Sequence, residues 1–434
     1  MANKEGYKLI APAKIIIEGD YWDCQIYRGR LYLWTFNGDL SVYNWDELVN
    51  SIICNENEIL ATTCAFTRGD YLYNPDFNLF FGNNDIRGIL SKQFNYLSKR
   101  NIVIEKQRLI KFLVSAQEIP TKELPTDTDI FNNKIISADQ TGLYRYTIHK
   151  SYLKNAASTK PEKLWDCPLL SIKAGNRGNI AMSAGSDGLF EFMNFDYYGI
   201  TNKPNECIEQ ISSKHSSFSS WAYSCIYSTS VVNESFLAPF YYSHDANSIF
   251  DNNYNEKPTF VSKKIISDTA IFGKTGGISW ANNEKFYHYE QNKLSIVNFI
   301  QKNLQETLDS AFVNKMEIPL NEWRGDVISS GVAYFGTIIE CENAMFILLS
   351  DGRTLTLPGS VVKWRVYPRS IRYENHLHLV KTDCIEIYSF NHDYYINQFC
   401  KQYGIAYRTK NTNWTNYQKP IVRAGGADKK LDTS

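Results

Sequence analysis

Nothing in this chain supplies a ready-made catalytic, nucleotide or metal site. There is no G-x-x-x-x-G-K and no G-x-G-x-x-G, so the usual backbone cradle for ATP, GTP or a dinucleotide is missing and no cofactor is expected. No G-x-S-x-G elbow presents a serine nucleophile. No C-x-x-C exists, which removes the common thiolate spacing for zinc. The nine cysteines (Cys24, Cys54, Cys64, Cys167, Cys207, Cys225, Cys341, Cys384 and Cys400) have no close partner, and their odd number reads as reduced thiols of a cytoplasmic protein. Long hydrophobic runs are also lacking: no window approaches the roughly 18 apolar residues of a membrane span, and Lys8, Lys14 and Glu18 break the first apolar stretches, so neither a leader nor a membrane anchor is expected. An excess charge of one sign is missing too, since 46 basic residues balance 46 acidic ones. No global field recruits nucleic acid or an anionic membrane.

What the chain does have is aromatic side chains, at 14% with 29 Tyr and 24 Phe, residues that favour strands and face-to-face sheet packing. It also repeats a hairpin. In residues 31–45, LYLWTF runs into the turn Asn37-Gly38-Asp39 and leaves as LSVYNW, with Leu31, Leu33, Leu40 and Val42 spaced two apart so that one face stays apolar. Further turns are read at Asn83-Asn84-Asp85, Asp139-Gln140-Thr141-Gly142, Ser186-Asp187-Gly188, Gln291-Asn292-Lys293, Ser350-Asp351-Gly352 and Thr382-Asp383. The outgoing strands begin near residues 40, 86, 143, 189, 294, 353 and 384, and the long interval after 189 leaves room for one degenerate copy around residues 221–243.

A strand-rich repeat of about 40–50 residues along the whole chain predicts an all-β fold, a single β-propeller of about seven, possibly eight, four-stranded blades. Residues 7–17 are expected to close the ring by completing the blade that holds residues 362–390, with residues 405–408 as the other candidate for that strand. Residues 1–410 then form the propeller, and the polar residues 411–434 form a flexible tail. Helix is expected only around residues 296–312, beginning as strand and becoming an insertion between blades, and for a turn in residues 45–53.

The decapeptide NGDLSVYNWD, residues 37–46, resembles the end of a WD40 repeat, where a D-G turn leads into an alternating strand closed by Trp-Asp. SDGLFEFMNFD, residues 186–196, is similar, with Phe195-Asp196 in the Trp-Asp place. No Gly-His dipeptide opens a blade, and Trp22-Asp23 and Trp165-Asp166 stand ahead of their hairpins. The resemblance implies a rigid platform for one or more protein partners, without catalysis.

Candidate chemistry is sparse. His376 and His378 lie two apart on a strand and so share a face, as two ligands of one metal ion would, with His392 or Asp393 as a third. Strand alternation alone also explains them, as polar residues on a solvent-facing side opposite Leu377 and Leu379. His244-Asp245 reads as a polar turn with no nucleophile tied to it, and Asp127, Asp129 and Asn132 as an exposed connection that lacks the glycine and distal glutamate of a calcium loop. Residues 98–111, with Lys99, Arg100, Lys106, Arg108 and Lys111, form the one basic run, interrupted by Glu105 and read as a solvated edge. Trp22, Trp165, Trp221, Trp280, Trp323 and Trp364 read as packing between blades, or else as anchors for a partner. The expected function is a non-catalytic protein–protein interaction platform within a multiprotein assembly. The alternative is a propeller enzyme of glycosidase or lyase type, whose carboxylates would come from different blades to the central channel and leave no local motif.

Overall fold

The computed structural model describes residues 11–391 apart from 73–82, 119–122, 132, 148–160, 176–178, 195–205, 224, 243–259, 263–264, 275, 283, 321–325, 334, 350–352, 369 and 371. Hairpin after hairpin, the strands of the described residues assemble into seven sheets, each built on four antiparallel strands, beside one two-stranded pair, Phe240–Tyr242 with Phe260–Ser262. Blade one is Asp23–Tyr27, Arg30–Trp34, Leu40–Asn44 and Leu113–Gln117. Blade two is Asp127–Phe131, Lys134–Asp139, Gly142–Thr147 and Glu162–Trp165; blade three is Ser171–Ala174, Ile180–Ser183, Leu189–Asn194 and Glu206–Ser212. Blade four is Phe218–Ala222, Cys225–Thr229, Phe236–Ala238 and Ile266–Ser267, and blade five is Ile278–Ala281, Lys285–Glu290, Lys293–Phe299 and Phe312–Pro319. Blade six is Val327–Ala333, Gly336–Cys341, Ala344–Leu349 and Thr354–Pro358. Blade seven joins Lys363–Val366, His376–Val380 and Cys384–Ser389 to the N-terminal strand Ala13–Glu18. Among the described residues the four-stranded blades number seven, not eight, which is the strand arrangement of a β-propeller.

The closing strand is the one expected from the sequence. Ala13–Glu18 pairs antiparallel with Cys384–Ser389, Ile15 opposite Ile387 and Ile17 opposite Ile385, because Ile15 and Ile17 point into the same dry layer as their partners. A short strand, Ile102–Ile104, then adds parallel to Ala13–Glu18 as a fifth member. The chain divides into two compact units, one holding blades one, six and seven and the other blades two to five.

Five of the seven hairpins read from the sequence join the second and third strands of a blade. Residues 350–352 lie outside the described residues; the strands on either side of them in sequence are the third and fourth of blade six. Gly188 shows why such turns are glycine: at φ 101° any Cβ would sit 2.0 Å from the Ser212 carbonyl oxygen. The seventh expected hairpin, Asn83-Asn84-Asp85, is a helix start. Asn83 accepts hydrogen bonds from the Asp85 and Ile86 amides as an N-cap, and Ile86, Leu90, Phe94 and Leu97 then recur on one helical face. The missing blade is the degenerate one suspected around 221–243, blade four, whose last two strands are separated by a long excursion.

Helix is concentrated where the sequence reading expected only one turn. Between the third and fourth strands of blade one lie α1 (Trp45–Ser51), α2 (Ile59–Phe66), α3 (Asn84–Leu97) and α4 (Lys106–Ile110). Residues 296–312 begin as strand, as expected, but continue as two short helical turns inside blade five rather than as an insertion between blades. The insertion of blade one is pinned at α2: the Trp45 indole N–H donates to the Phe66 carbonyl at 2.7 Å, with both residues fully buried. Trp45→Phe is expected to cost about 1–2 kcal/mol in urea unfolding, because the Phe66 carbonyl then stays buried without its donor. The proposed tail, 411–434, and residues 405–408 lie outside the described residues.

Candidate functional site

Both histidines singled out by spacing, His376 and His378, are fully buried, and neither faces solvent. Their strand is dry on both sides. Leu377 and Leu379 pack in a cluster with blade six, while the imidazoles point toward blade one and the end of α2. A carbonyl can only accept, so the 2.9 Å contact of His376 Nε2 with the Ala65 oxygen puts the proton on Nε2. His376 Nδ1 is then the acceptor for His378 Nε2 at 3.4 Å. That leaves His378 Nδ1 to accept from the Tyr367 hydroxyl at 3.1 Å and the Cys24 thiol at 3.2 Å.

Burial holds every member neutral: the His376 imidazole is pushed down to about 4, His378 well below the ordinary range, and the Cys24 thiol and Tyr367 hydroxyl well above theirs. The lone pairs that would bind a metal are occupied by hydrogen bonds, and the Cys24–His378 contact is a thiol–imidazole contact without thiolate character. The Ala65 carbonyl also receives Asn375 Nδ2 and Ser389 Oγ, so the chain of groups fastens the end of α2 to blade seven. His392 and Asp393 lie outside the described residues.

The second unit holds a set that no motif reveals. Ser279 and His288 are cross-strand neighbours in blade five, with Oγ 2.7 Å from Nδ1. Asp268, whose Oδ1 accepts the Tyr227 hydroxyl, places its other carboxylate oxygen 4.0 Å from the same Nδ1. A relay needs serine and carboxylate on opposite ring nitrogens, and here both sit on the Nδ1 side, while Nε2 faces Glu290 at 4.0 Å. Ser279 and His288 are fully buried, and burial lowers the imidazole and lifts Asp268 to about 6. The geometry is that of a hydrogen-bonded blade core.

The remaining sequence candidates are mostly structural. Asp127 and Asp129 are not in an exposed loop. They lie on the first strand of blade two, where Asp127 accepts from the Ile172 amide and Asp129 from the Ala174 amide, both at 2.9 Å, clamping blade three. Asn132, His244 and Asp245 are outside the described residues. Trp221 donates from its indole to the Lys173 carbonyl of blade three, and Trp364 donates to Glu340 of blade six. Each indole lies over a glycine, Gly175 and Gly331, at which a Cβ would come within 2.9 and 2.7 Å of the ring. Trp165 packs 4.6 Å from Phe190 of the next blade. Trp280 stacks on Tyr287 within its own sheet, and Trp323 is outside the described residues. Of the basic run, Arg100 pairs with Glu58 at 2.6 Å and donates to the Ile52 carbonyl, and Arg108 donates to the Ser51 carbonyl; both cap the end of α1.

What stays exposed is the insertion. Of fifteen exposed large hydrophobic side chains among the described residues, seven lie on the insertion or the strand that follows: Ile59, Leu60, Ile89, Tyr96, Ile110, Leu113 and Val114. Ile89 and Tyr96, each 55% exposed and seven residues apart, share the outer face of α3. Exposed Lys92 and Lys99 lie along the same stripe.

No protein-family model matches the chain, and no curated protein matches it. Among solved structures, the WD40 domain of Neurospora crassa Pan2 is similar, with a TM-score of 0.41 at 10% identity, covering 86% of this chain and 90% of that one. The seven four-stranded blades, the first with its third strand running into Trp45-Asp46, agree with the resemblance of residues 37–46 to the end of a WD40 repeat. No helix among the described residues is long and apolar enough to cross a membrane.

Proposed function

We propose that this chain is a non-catalytic protein–protein interaction platform within a multiprotein assembly, with the helical insertion of blade one as its contact face. The observation that carries the reading is the gathering of exposed apolar side chains on α2, α3 and α4. Such surface costs solvation unless a partner covers it, and aromatic and aliphatic anchors flanked by charge are what interfaces use. The glycosidase or lyase alternative finds no support in the buried histidine sets, whose donors and acceptors are occupied. A cytoplasmic location belongs to the same proposal, supported by the seven cysteines among the described residues, all of them free thiols. So does the division into a propeller, 1–410, and a polar tail, 411–434.

Affinity capture from the native cell, run with wild type and with the Ile89→Glu/Tyr96→Glu variant, tests it. A partner retained by wild type and lost from the variant, with unchanged circular dichroism, is the expected result. Partners held equally by both proteins would move the contact face elsewhere, and no stable partner from a well-expressed bait would overturn the platform itself.

A further inference from the structure

Blades three and four, both in the second unit, are tied by polar bonds toward one end of their strands. The Gly185 and Ser216 backbones exchange both hydrogen bonds, at 2.9 and 3.0 Å, and the Ser228 hydroxyl donates to Ser216 Oγ, which donates to Ser183 Oγ. The Trp221 indole adds its bond to the Lys173 carbonyl. Beside these ties the contact is dry: Ala181, Leu189 and Met193 of blade three pack with Ile226, Phe236 and Ala238 of blade four.

One carboxyl stands in that layer. Glu191 lies between Leu189 and Met193 on the third strand of blade three and directly across from Ala181, so strand alternation puts all four on one face. It is 1% exposed. Asn179 Nδ2 donates to its Oε1 at 2.7 Å, while Oε2 is buried with no hydrogen-bond partner. The cross-strand row on this face reads Lys173, Ala181, Glu191, Glu209, which leaves Lys173 two strands away and sets a like charge directly opposite. Cys207 stands opposite Met193 in register. From blade four, Ile226, Phe236 and Ala238 bring no ionisable group; Lys214 lies over the Phe236 ring at 6.0 Å and acts on Glu234. Burial, with the Glu209 charge adding to it, lifts the Glu191 carboxyl to about 7 against the Asn179 bond, which lowers it.

We infer that Glu191 is a proton-operated latch between blades three and four: with Oε2 protonated the apolar layer closes over a neutral group, and on ionisation the layer loosens while the polar ties hold. A carboxylate left in a dry layer without a counter-charge is costly, and water entering beside it is the local relief. The sign follows from the two protonation equilibria. The folded value lies above the unfolded one near 4.5, so the stabilisation is complete below about pH 4.5 and is lost as pH rises through about 7. The latch does not depend on the platform reading, since Glu191 and the insertion of blade one lie in different units.

The test uses the full chain, with urea unfolding and hydrogen–deuterium exchange read by mass spectrometry for wild type, Glu191→Gln and Glu209→Gln. Between pH 5.5 and 8.5 the unfolding equilibrium constant of wild type is expected to rise roughly 30-fold more than that of Glu191→Gln, whose side chain cannot ionise. The other titrating groups are common to both proteins and cancel. At pH 8.5 the amides of residues 180–194 and 225–238 should exchange faster in wild type than in Glu191→Gln, and the difference should vanish by pH 5.5; comparison at one pH removes the intrinsic rate. Glu209 is exposed, so Glu209→Gln keeps the fold and should make the wild-type rise smaller by removing the like charge. Parallel pH curves for wild type and Glu191→Gln, or a rise in Glu209→Gln as large as in wild type, would overturn the buried unpaired carboxyl. An exchange difference spread evenly over all the blades would overturn the latch, because the loosening belongs between blades three and four.

Discussion

Arg365→Ala is expected to remove about 3–5 kcal/mol of stability at neutral pH, among the largest effects of any single side chain here. Asp23 opens blade one with a fully buried carboxylate. Arg365, on the first strand of blade seven, grips it through Nε at 2.9 Å and Nη2 at 2.5 Å, and Lys363 stands 3.6 Å away. Asp23 also accepts the Cys24 amide at 2.8 Å. A bidentate pair of this kind gains little over a well-packed apolar pair, because both ions leave water to form it. The damage comes from breaking it on one side, which strands a charge where solvent cannot reach. Two consequences can be measured by urea unfolding. The Asp23→Leu/Arg365→Met double variant should be less destabilised than Arg365→Ala. The cost of Arg365→Ala should also shrink in mild acid, where the orphaned carboxylate takes up a proton. A double variant as unstable as Arg365→Ala would show that packing, not the stranded charge, sets the cost.

His376→Gln should make the protein markedly less sensitive to acid. The unfolded imidazole titrates near 6.5, and in the fold it is pushed down to about 4 by burial beside the Ala65 carbonyl it serves. With the folded value depressed, the unfolded chain binds the proton first. The stabilisation is therefore complete above pH 6.5 and is lost as pH falls toward 4. Wild type should lose about 2 kcal/mol more than His376→Gln between pH 7.5 and 5, and about 3 kcal/mol more by pH 4. Glutamine keeps an N–H for the Ala65 carbonyl and cannot titrate. Glu191, lifted to about 7 by burial, and Asp268, lifted to about 6, pull the other way, since their folded carboxyls protonate before the unfolded ones. They are common to both proteins and cancel in the difference. Parallel stability-versus-pH curves for the two proteins would overturn the buried neutral imidazole.

The blades were legible where the chemistry is local. A turn such as Asp139-Gln140-Thr141-Gly142 carries its own signal: Asp139 Oδ1 accepts the Thr141 and Gly142 amides, and a Cβ at Gly142 would collide with the Trp165 carbonyl. Local chemistry is also ambiguous where one residue type serves two structures. Asn83-Asn84-Asp85 fits a turn and an N-cap equally, and five residues of IRGIL do not separate a period of 2 from a period of 3.6. Extending the window to Phe94 and Leu97 would have revealed the helix.

The histidines illustrate a different limit. Alternation states that His376 and His378 share a face, and they do, but whether that face is wet depends on Cys24 and Ala65, more than 300 residues away in sequence. The basic run that did stand out caps α1 through Arg100 and Arg108.

By itself the sequence determined the blade as a unit, its hairpins, the strand that runs into Trp45-Asp46 and the N-terminal closing strand, because turn residues and a two-residue apolar period act over a few positions. The tertiary structure alone decided which faces are dry, where the insertion's apolar side chains are left uncovered, and which charges meet. Burial and electrostatics depend on distance in space, and closing a sheet between residues 13–18 and 384–389 sets those distances without regard to order along the chain.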